Sequence, residues 1–291
     1  MVLIILFEMK LDAILTPAEL PMLAKRDLRD TVCVVFDVLR ATSTFVTALH
    51  NGAKAIVPVS EIAEAVAIRK KQPDALLAGE RDGIRIRAVQ TGGIDFDLGN
   101  SPREYTPEKV RGKTIVSTTT NGTRALRACV GAKTVLAASF LDLTATAQFV
   151  AKLQPGQVLF VCAGTRDNAA LEDVLAAGAM AEMLATSGGA DILAGECQAR
   201  QHAGKMPALP VEPQSPDAHG VTRPAWSDSV EIARRVYTQA KSDLAAAVRT
   251  SENAQRLRAI PELRDDLPFC LQRDIFLLVA KLHADGAIRP V

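Results

Sequence analysis

Thirty-four basic side chains against 33 acidic ones leave this 291-residue chain a formal net charge of +1. No overall field draws it to nucleic acid or to an anionic membrane, so any anion it binds must be drawn by local arrangement. An apolar content of 48% suits a globular protein with a full core, in one large α/β domain or two smaller lobes.

The opening Met1 to Phe7 is apolar but meets Glu8 at once and is far too short to cross a bilayer. It reads as an edge strand or as an extension before Met9. From Cys33 to about Gly178 one unit recurs: a short β-branched run, a small polar loop, then an alanine-rich helical pattern. This predicts a mostly parallel sheet covered by helices in three layers. Strands are expected at Val32 to Phe36, Ala53 to Val59, Ala75 to Ala78, Thr114 to Ser117, Thr134 to Ala138 and Val158 to Cys162. Helical spacing covers Glu61 to Lys71 and Leu141 to Leu153. The α/β body is assigned to residues 1–199 and a proline-rich loop or linker to 200–227. Residues 228–291 are expected to form a helical C-terminal segment, led by a long helix from Ser227 to Val248 and a shorter one from Ser251 to Ile260. The alanine-rich helices offer a face for a homodimer.

Polar loops at strand ends carry the chemistry. The first strand runs into Asp37-Val-Leu-Arg40-Ala-Thr42-Ser43-Thr44, an acid, a base and three hydroxyls at the carboxyl edge of a sheet, where open α/β folds bind ligands. A carboxylate there suits Mg²⁺ and a guanidinium suits phosphate, although helix capping explains the same residues about equally well. Ser117 to Arg124 places Thr119, Thr120, Asn121, Gly122, Thr123 and Arg124 after another strand, an anion cradle or simply an Asn-Gly turn. Gly79-Glu80-Arg81 and Gly99-Asn100-Ser101-Pro102-Arg103 are weaker signals, each also a common turn. Cys162 to Asp173 ends in the acids Glu172 and Asp173, which a helix dipole alone would favour.

Five cysteines, Cys33, Cys129, Cys162, Cys197 and Cys270, show neither metal-ligand spacing nor disulfide-scaffold density, which suits a reduced cytoplasm. With no histidine near it in sequence, Cys162 reads as a core residue and not a nucleophile. Gly112-Lys113-Thr114 is not a phosphate loop, because Pro107 stands where the first glycine belongs.

Taken in order, Phe36 to Thr44, Gly79 to Arg81, Phe96 to Pro102, Thr119 to Ala125 and Leu171 to Gly178 resemble the 2-phosphosulfolactate phosphatase family, from about Met9 to Gln272. The resemblance implies a Mg²⁺-dependent phosphatase that hydrolyses the phosphate ester of a 2-hydroxy acid, (R)-2-phospho-3-sulfolactate in coenzyme M synthesis. Asp37, Arg40, Asn121 and Arg124 are then the expected catalytic residues, with Asp37, Glu80 and Asp173 as metal ligands. Thr42, Ser43, Arg81, Asn100, Ser101, Thr119, Thr120, Gly122 and Thr123 would bind the substrate, and Arg40, Arg81, Arg103, Arg124 and Arg166 would meet its charge. The proline-rich stretch and the Gly164 to Ala170 loop depart from the family's pattern at the substrate rim. A catalytically idle sensor of a phosphorylated acid is the alternative, and a purely structural protein a third.

Overall fold

The structure is a computed structural model that describes residues 9–186 and 225–291. The expectations placed on residues 1–8, on Cys197 and on most of the proline-rich stretch lie outside the described residues. The first half of the chain alternates as the sequence predicts: β1 (Lys10–Ile14), β2 (Thr31–Phe36), α1 (Ala41–His50), β3 (Ala55–Pro58), α2 (Ile62–Lys71), β4 (Leu76–Arg81) and β5 (Ile84–Arg85). Short helices α3 (Ala88–Thr91) and α4 (Pro107–Val110) precede β6 (Thr114–Thr118), α5 (Gly122–Ala128), β7 (Thr134–Ala138), α6 (Leu143–Leu153), β8 (Gln157–Cys162) and α7 (Leu171–Thr186). After β9 (Ala225–Trp226) come α8 (Asp228–Ala240), α9 (Leu244–Val248), α10 (Glu252–Ala259), α11 (Asp266–Cys270), β10 (Ala280–Leu282) and β11 (Ile288–Pro290).

These strands form one mixed, mostly parallel sheet in the order β5-β4-β6-β3-β11-β10-β7-β2-β8-β1-β9. The α/β expectation holds, and every strand expected between Val32 and Cys162 is present. Two differences concern the C-terminal part. The long helix expected over Ser227 to Val248 is two helices, because the Asp243 side chain accepts the Ala246 N–H and starts a new N-cap. The segment is also not helical throughout: β10 and β11 stand in the middle of the sheet, each antiparallel to its neighbours. Three residues per strand are too few for a periodic signal.

This hairpin governs the architecture. It joins a parallel block of β4, β6 and β3 to a second block of β7, β2, β8 and β1 through three antiparallel pairings, so the blocks run in opposite senses along the sheet. Residues at the carboxyl ends of β2 and β8 in one block and of β4 and β6 in the other nevertheless line one cleft. One core cluster gathers Phe45 and Val46 of α1 and Leu126 of α5 with Ile56 and Ile115 of the first block and Val35 and Leu159 of the second. A second packs Phe36 and Phe160 under α6, α7 and α8, and a third packs Leu77 and Val116 under α2. With both faces covered, all six residues of β2 are buried. Among the described residues no helix is long and apolar enough to cross a membrane.

Candidate active site

Asp37 follows directly from the fully buried β2. Its Oδ1 accepts the Ala41 N–H at the start of α1 (3.0 Å), and its own N–H donates to Thr42 Oγ1 (3.0 Å). Ser43 Oγ donates to the Val38 carbonyl (2.8 Å) and Thr44 Oγ1 to the Asn100 carbonyl (2.8 Å). Buried backbone groups in an irregular loop need partners, and these hydroxyls supply them. Thr42 and Ser43 therefore hold the loop in shape from beneath and do not line the cleft.

The same division appears after β6. Thr119 Oγ1 accepts the Thr123 N–H, and Thr123 Oγ1 donates back to the Thr119 carbonyl (2.8 Å), so this pair caps α5. Thr120 and Asn121 reach the cleft instead: Thr120 donates through both N–H and Oγ1 to Glu80 Oε1 (2.8 and 2.9 Å), and Asn121 Nδ2 donates to the Gly164 carbonyl (2.6 Å). A Cβ on Gly122 would lie 2.6 Å from Ala41 Cβ and 2.7 Å from Asp37 Oδ2. Only glycine lets α5 approach Asp37 this closely.

Arg40 is buried. Its Nη1 donates to Asp266 Oδ2 (2.7 Å) and its Nη2 to the Gly83 carbonyl (2.8 Å), while Asp266 Oδ1 accepts Ser101 Oγ (2.6 Å). Glu80 Oε2 accepts the Gly83 N–H (2.7 Å), which ties the β4–β5 turn beneath the guanidinium. Asp37, Arg40, Glu80, Asn100, Thr120 and Asn121 thus line one cleft of about 70 Å³. At about 10–15 Å³ of such space per water molecule, that volume admits a small anion with a few waters.

The remaining expected residues lie elsewhere. Arg81 turns away to Thr118 Oγ1 and the Ser60 carbonyl, and Arg124 pairs with Asp167 on the surface (3.4 Å). Arg103 pairs with Asp265 (3.2 Å), and Ser101 is spent on Asp266. Asp173 is buried, its two oxygens taken by the Val38 and Gly164 N–H groups (2.8 and 2.9 Å), so it clamps the β2 loop to the β8 loop. Of the five arginines expected, Arg40 and Arg166 line the cleft.

Sequence reasoning gave no role to Asp266, or to Asn253 and Arg256, which α10 brings to the same cleft. Asn253 Nδ2 donates to Thr165 Oγ1 (2.6 Å) and to Glu172 Oε1 (2.7 Å). Their i, i+3 spacing on a capped helix was the available signal, but nothing in the sequence says where that helix returns.

The cleft is acidic within. Burial above all, then the charges of Glu80 and Glu172, push the Asp37 carboxyl up to about 7, against the Ala41 hydrogen bond and Arg40. Burial and the neighbouring Asp37 and Glu172 hold Asp173 well above the usual carboxylate range. Cys162 is fully buried with its thiol pushed well up by burial, as a core residue and not a thiolate nucleophile would be.

Among the described residues no three His, Cys, Asp or Glu side chains converge to hold a metal ion. Asp37, Glu80 and Asp173 therefore do not build a three-acid centre. The donors do suit Mg²⁺ in a more open form. Asp37 Oδ2 faces the space a Cβ of Gly122 would fill, and Asn100 Oδ1 is buried with no hydrogen-bond partner. Mg²⁺ is commonly held by one or two carboxylates together with water and phosphate oxygens.

A family model described as 2-phosphosulpholactate phosphatase matches residues 15–285. A "Probable 2-phosphosulfolactate phosphatase" of Symbiobacterium thermophilum is 36% identical over 248 residues, covering 84% of this chain and 88% of that protein. One from Pseudothermotoga lettingae is 35% identical over 259 residues, 89% and 92% of the two chains. A third, from Caldanaerobacter subterraneus subsp. tengcongensis, is 47% identical over 161 residues, 55% of this chain. The chain spans 64% of the length of that last protein.

Proposed function

The chain belongs to the 2-phosphosulpholactate phosphatase family, and from that premise we propose that it is a Mg²⁺-dependent phosphoric monoester hydrolase. Its substrate would be the phosphate ester of a 2-hydroxy acid, 2-phosphosulfolactate first. The observation that carries this reading is the meeting of a buried guanidinium, Arg40, with Asp37, Glu80, Thr120 and Asn121 in one small cleft.

Arg40 is held on two sides by Asp266 and Gly83, so little side-chain freedom is lost when its remaining donors meet phosphoryl oxygens. Asn121, fixed by the Gly164 carbonyl, would orient the ester. Mg²⁺, held by Asp37 and Asn100, would supply positive charge at the transferring phosphoryl group. Water attacks phosphorus, the P–O bond to the 2-carbon oxygen breaks, and the leaving oxygen gains a proton. The attacking water supplies both the oxygen that phosphorus gains and the proton that the leaving oxygen gains, while Asp37 would stay ionised to hold the metal. A cytoplasmic setting belongs to the same proposal and agrees with the four described cysteines, all free and buried.

The test is phosphate release from 2-phosphosulfolactate and from phospholactate, with Mg²⁺ and with EDTA. Release that needs Mg²⁺ supports the proposal. A folded protein that binds these esters without hydrolysing them would instead be a sensor.

A further inference from the structure

Two arginines stand at the outer lip of the cleft, and the reaction centre as drawn above uses neither. Arg256 comes from α10, Arg166 from the loop after β8, where it holds a left-handed φ of +56°. Among the described residues both pair with one carboxylate, Glu252: Arg256 Nη2 at 3.0 Å and Arg166 Nη1 at 3.7 Å from the same Oε1. Two guanidiniums thus share one acid. Arg166 and Glu252 are exposed, at 70% and 52%, and Arg256 is half-buried at 30%, so Glu252 is a weak partner that another anion can replace.

The lip also lies in register with the phosphate-binding end. A Cβ on Gly83 would stand 4.0 Å from Arg40 Nη2 and 3.7 Å from Arg256 Cδ, so the two arginines flank the same residue. Asn253, one turn before Arg256, is pinned to Thr165 and Glu172, which fixes α10 against the β8 loop. Inward of this lip stand Asp37 and Glu80, side chains with no positive charge to offer a second anion. A substrate carrying a second anion has its matching charge at the lip.

We infer that Arg166 and Arg256 form a second anion subsite, which takes a carboxylate or sulfonate borne by the phosphorylated substrate and so sets specificity. This rests on the phosphatase reading for its kinetic form, and its test separates the two. Steady-state constants are measured for the wild type, R256A, R166A and E252Q on three esters: 2-phosphosulfolactate, phospholactate and isopropyl phosphate, which lacks both further anions.

R256A should raise KM for 2-phosphosulfolactate by about 10- to 100-fold, the worth of a charged hydrogen bond, with a much smaller change in kcat. For isopropyl phosphate the change in KM should be far smaller. E252Q, which frees both guanidiniums, should lower KM for the anionic esters. If phospholactate follows 2-phosphosulfolactate, the subsite reads the carboxylate; if it follows isopropyl phosphate, it reads the sulfonate. An unchanged ratio of KM values between 2-phosphosulfolactate and isopropyl phosphate in both R256A and R166A overturns the subsite. R166A carries the test should R256A fail to fold, since Arg166 is largely exposed. Should the wild type hydrolyse none of the esters, the phosphatase reading fails alone. Calorimetric titration with 2-phosphosulfolactate then decides the subsite, by whether R256A and R166A weaken binding.

Discussion

Gly122 and Asp37 define each other. The glycine has an ordinary φ, so its role is steric: an alanine methyl would meet both Ala41 Cβ and Asp37 Oδ2 below 3 Å. Gly122→Ala should push α5 off the Asp37 loop, with about 1–3 kcal/mol of destabilisation and a loss of kcat well beyond it. Unfolding curves beside turnover would check this; full activity would show that the approach of α5 is not needed. Asp37→Asn should abolish turnover while raising stability at pH 8. There the native protein holds a carboxylate whose pKa burial has pushed to about 7, a cost on the order of a few kcal/mol that the amide does not carry. At this scale the sequence was a fair guide to which loops meet and a poor one to which hydroxyls face the ligand. Thr42, Ser43, Thr119 and Thr123 look like ligand-binding residues, yet they satisfy buried backbone groups of their own loops, a demand invisible until the loop's path is known.

The decisive elements come from the C-terminal part, where the sequence was least informative. Helix α11 begins with Asp266, a fully buried acid with no apolar pattern to mark its place, and the ion pair it makes with Arg40 has 3% and 0% side-chain exposure. Removing one partner of such a pair strands the other charge, so Asp266→Ala should cost about 3–5 kcal/mol and free Arg40 from its fixed orientation. Asp266→Asn keeps one acceptor, its Oδ1, for Arg40 and can donate from Nδ2 to Ser101 Oγ, so it should recover part of the stability. KM should rise in both variants and more in the alanine one, read by phosphate release beside thermal denaturation. If the two variants behave alike, charge pairing is not what Asp266 contributes. The hairpin β10–β11 escaped notice for a different reason: six paired residues hold no period, and their place in mid-sheet is fixed by the neighbours β7 and β3, far away in sequence. The strands of the first half were legible because each is a β-branched run with a polar loop behind it.

Across the whole molecule the buried acids make stability depend on pH in one direction. Asp37, Asp142, Glu172 and Asp173 all have pKa values raised by burial, the first two to about 7. A folded acid with a raised pKa binds more protons than its unfolded counterpart between the unfolded value near 4 and the folded value, so stability falls as pH climbs through that window. The exposed acids with lowered values, Asp27, Glu231 and Asp285 at about 2, act only below it. The urea midpoint in EDTA should therefore be higher at pH 5 than at pH 8. Asp142 lies away from the cleft, satisfied by the Ser139 N–H and by Thr146 Oγ1. Asp142→Asn should remove part of that slope whether or not metal is present. Mg²⁺ should raise the midpoint at pH 8 in the wild type and in Asp142→Asn alike, because a bound cation favours the ionised Asp37 that burial opposes. It should do nothing for Asp37→Asn. A Mg²⁺ effect that survives in Asp37→Asn would place the ion elsewhere, whereas a slope that vanishes in Asp142→Asn alone would mean that the cleft acids titrate together with a partner and not against burial.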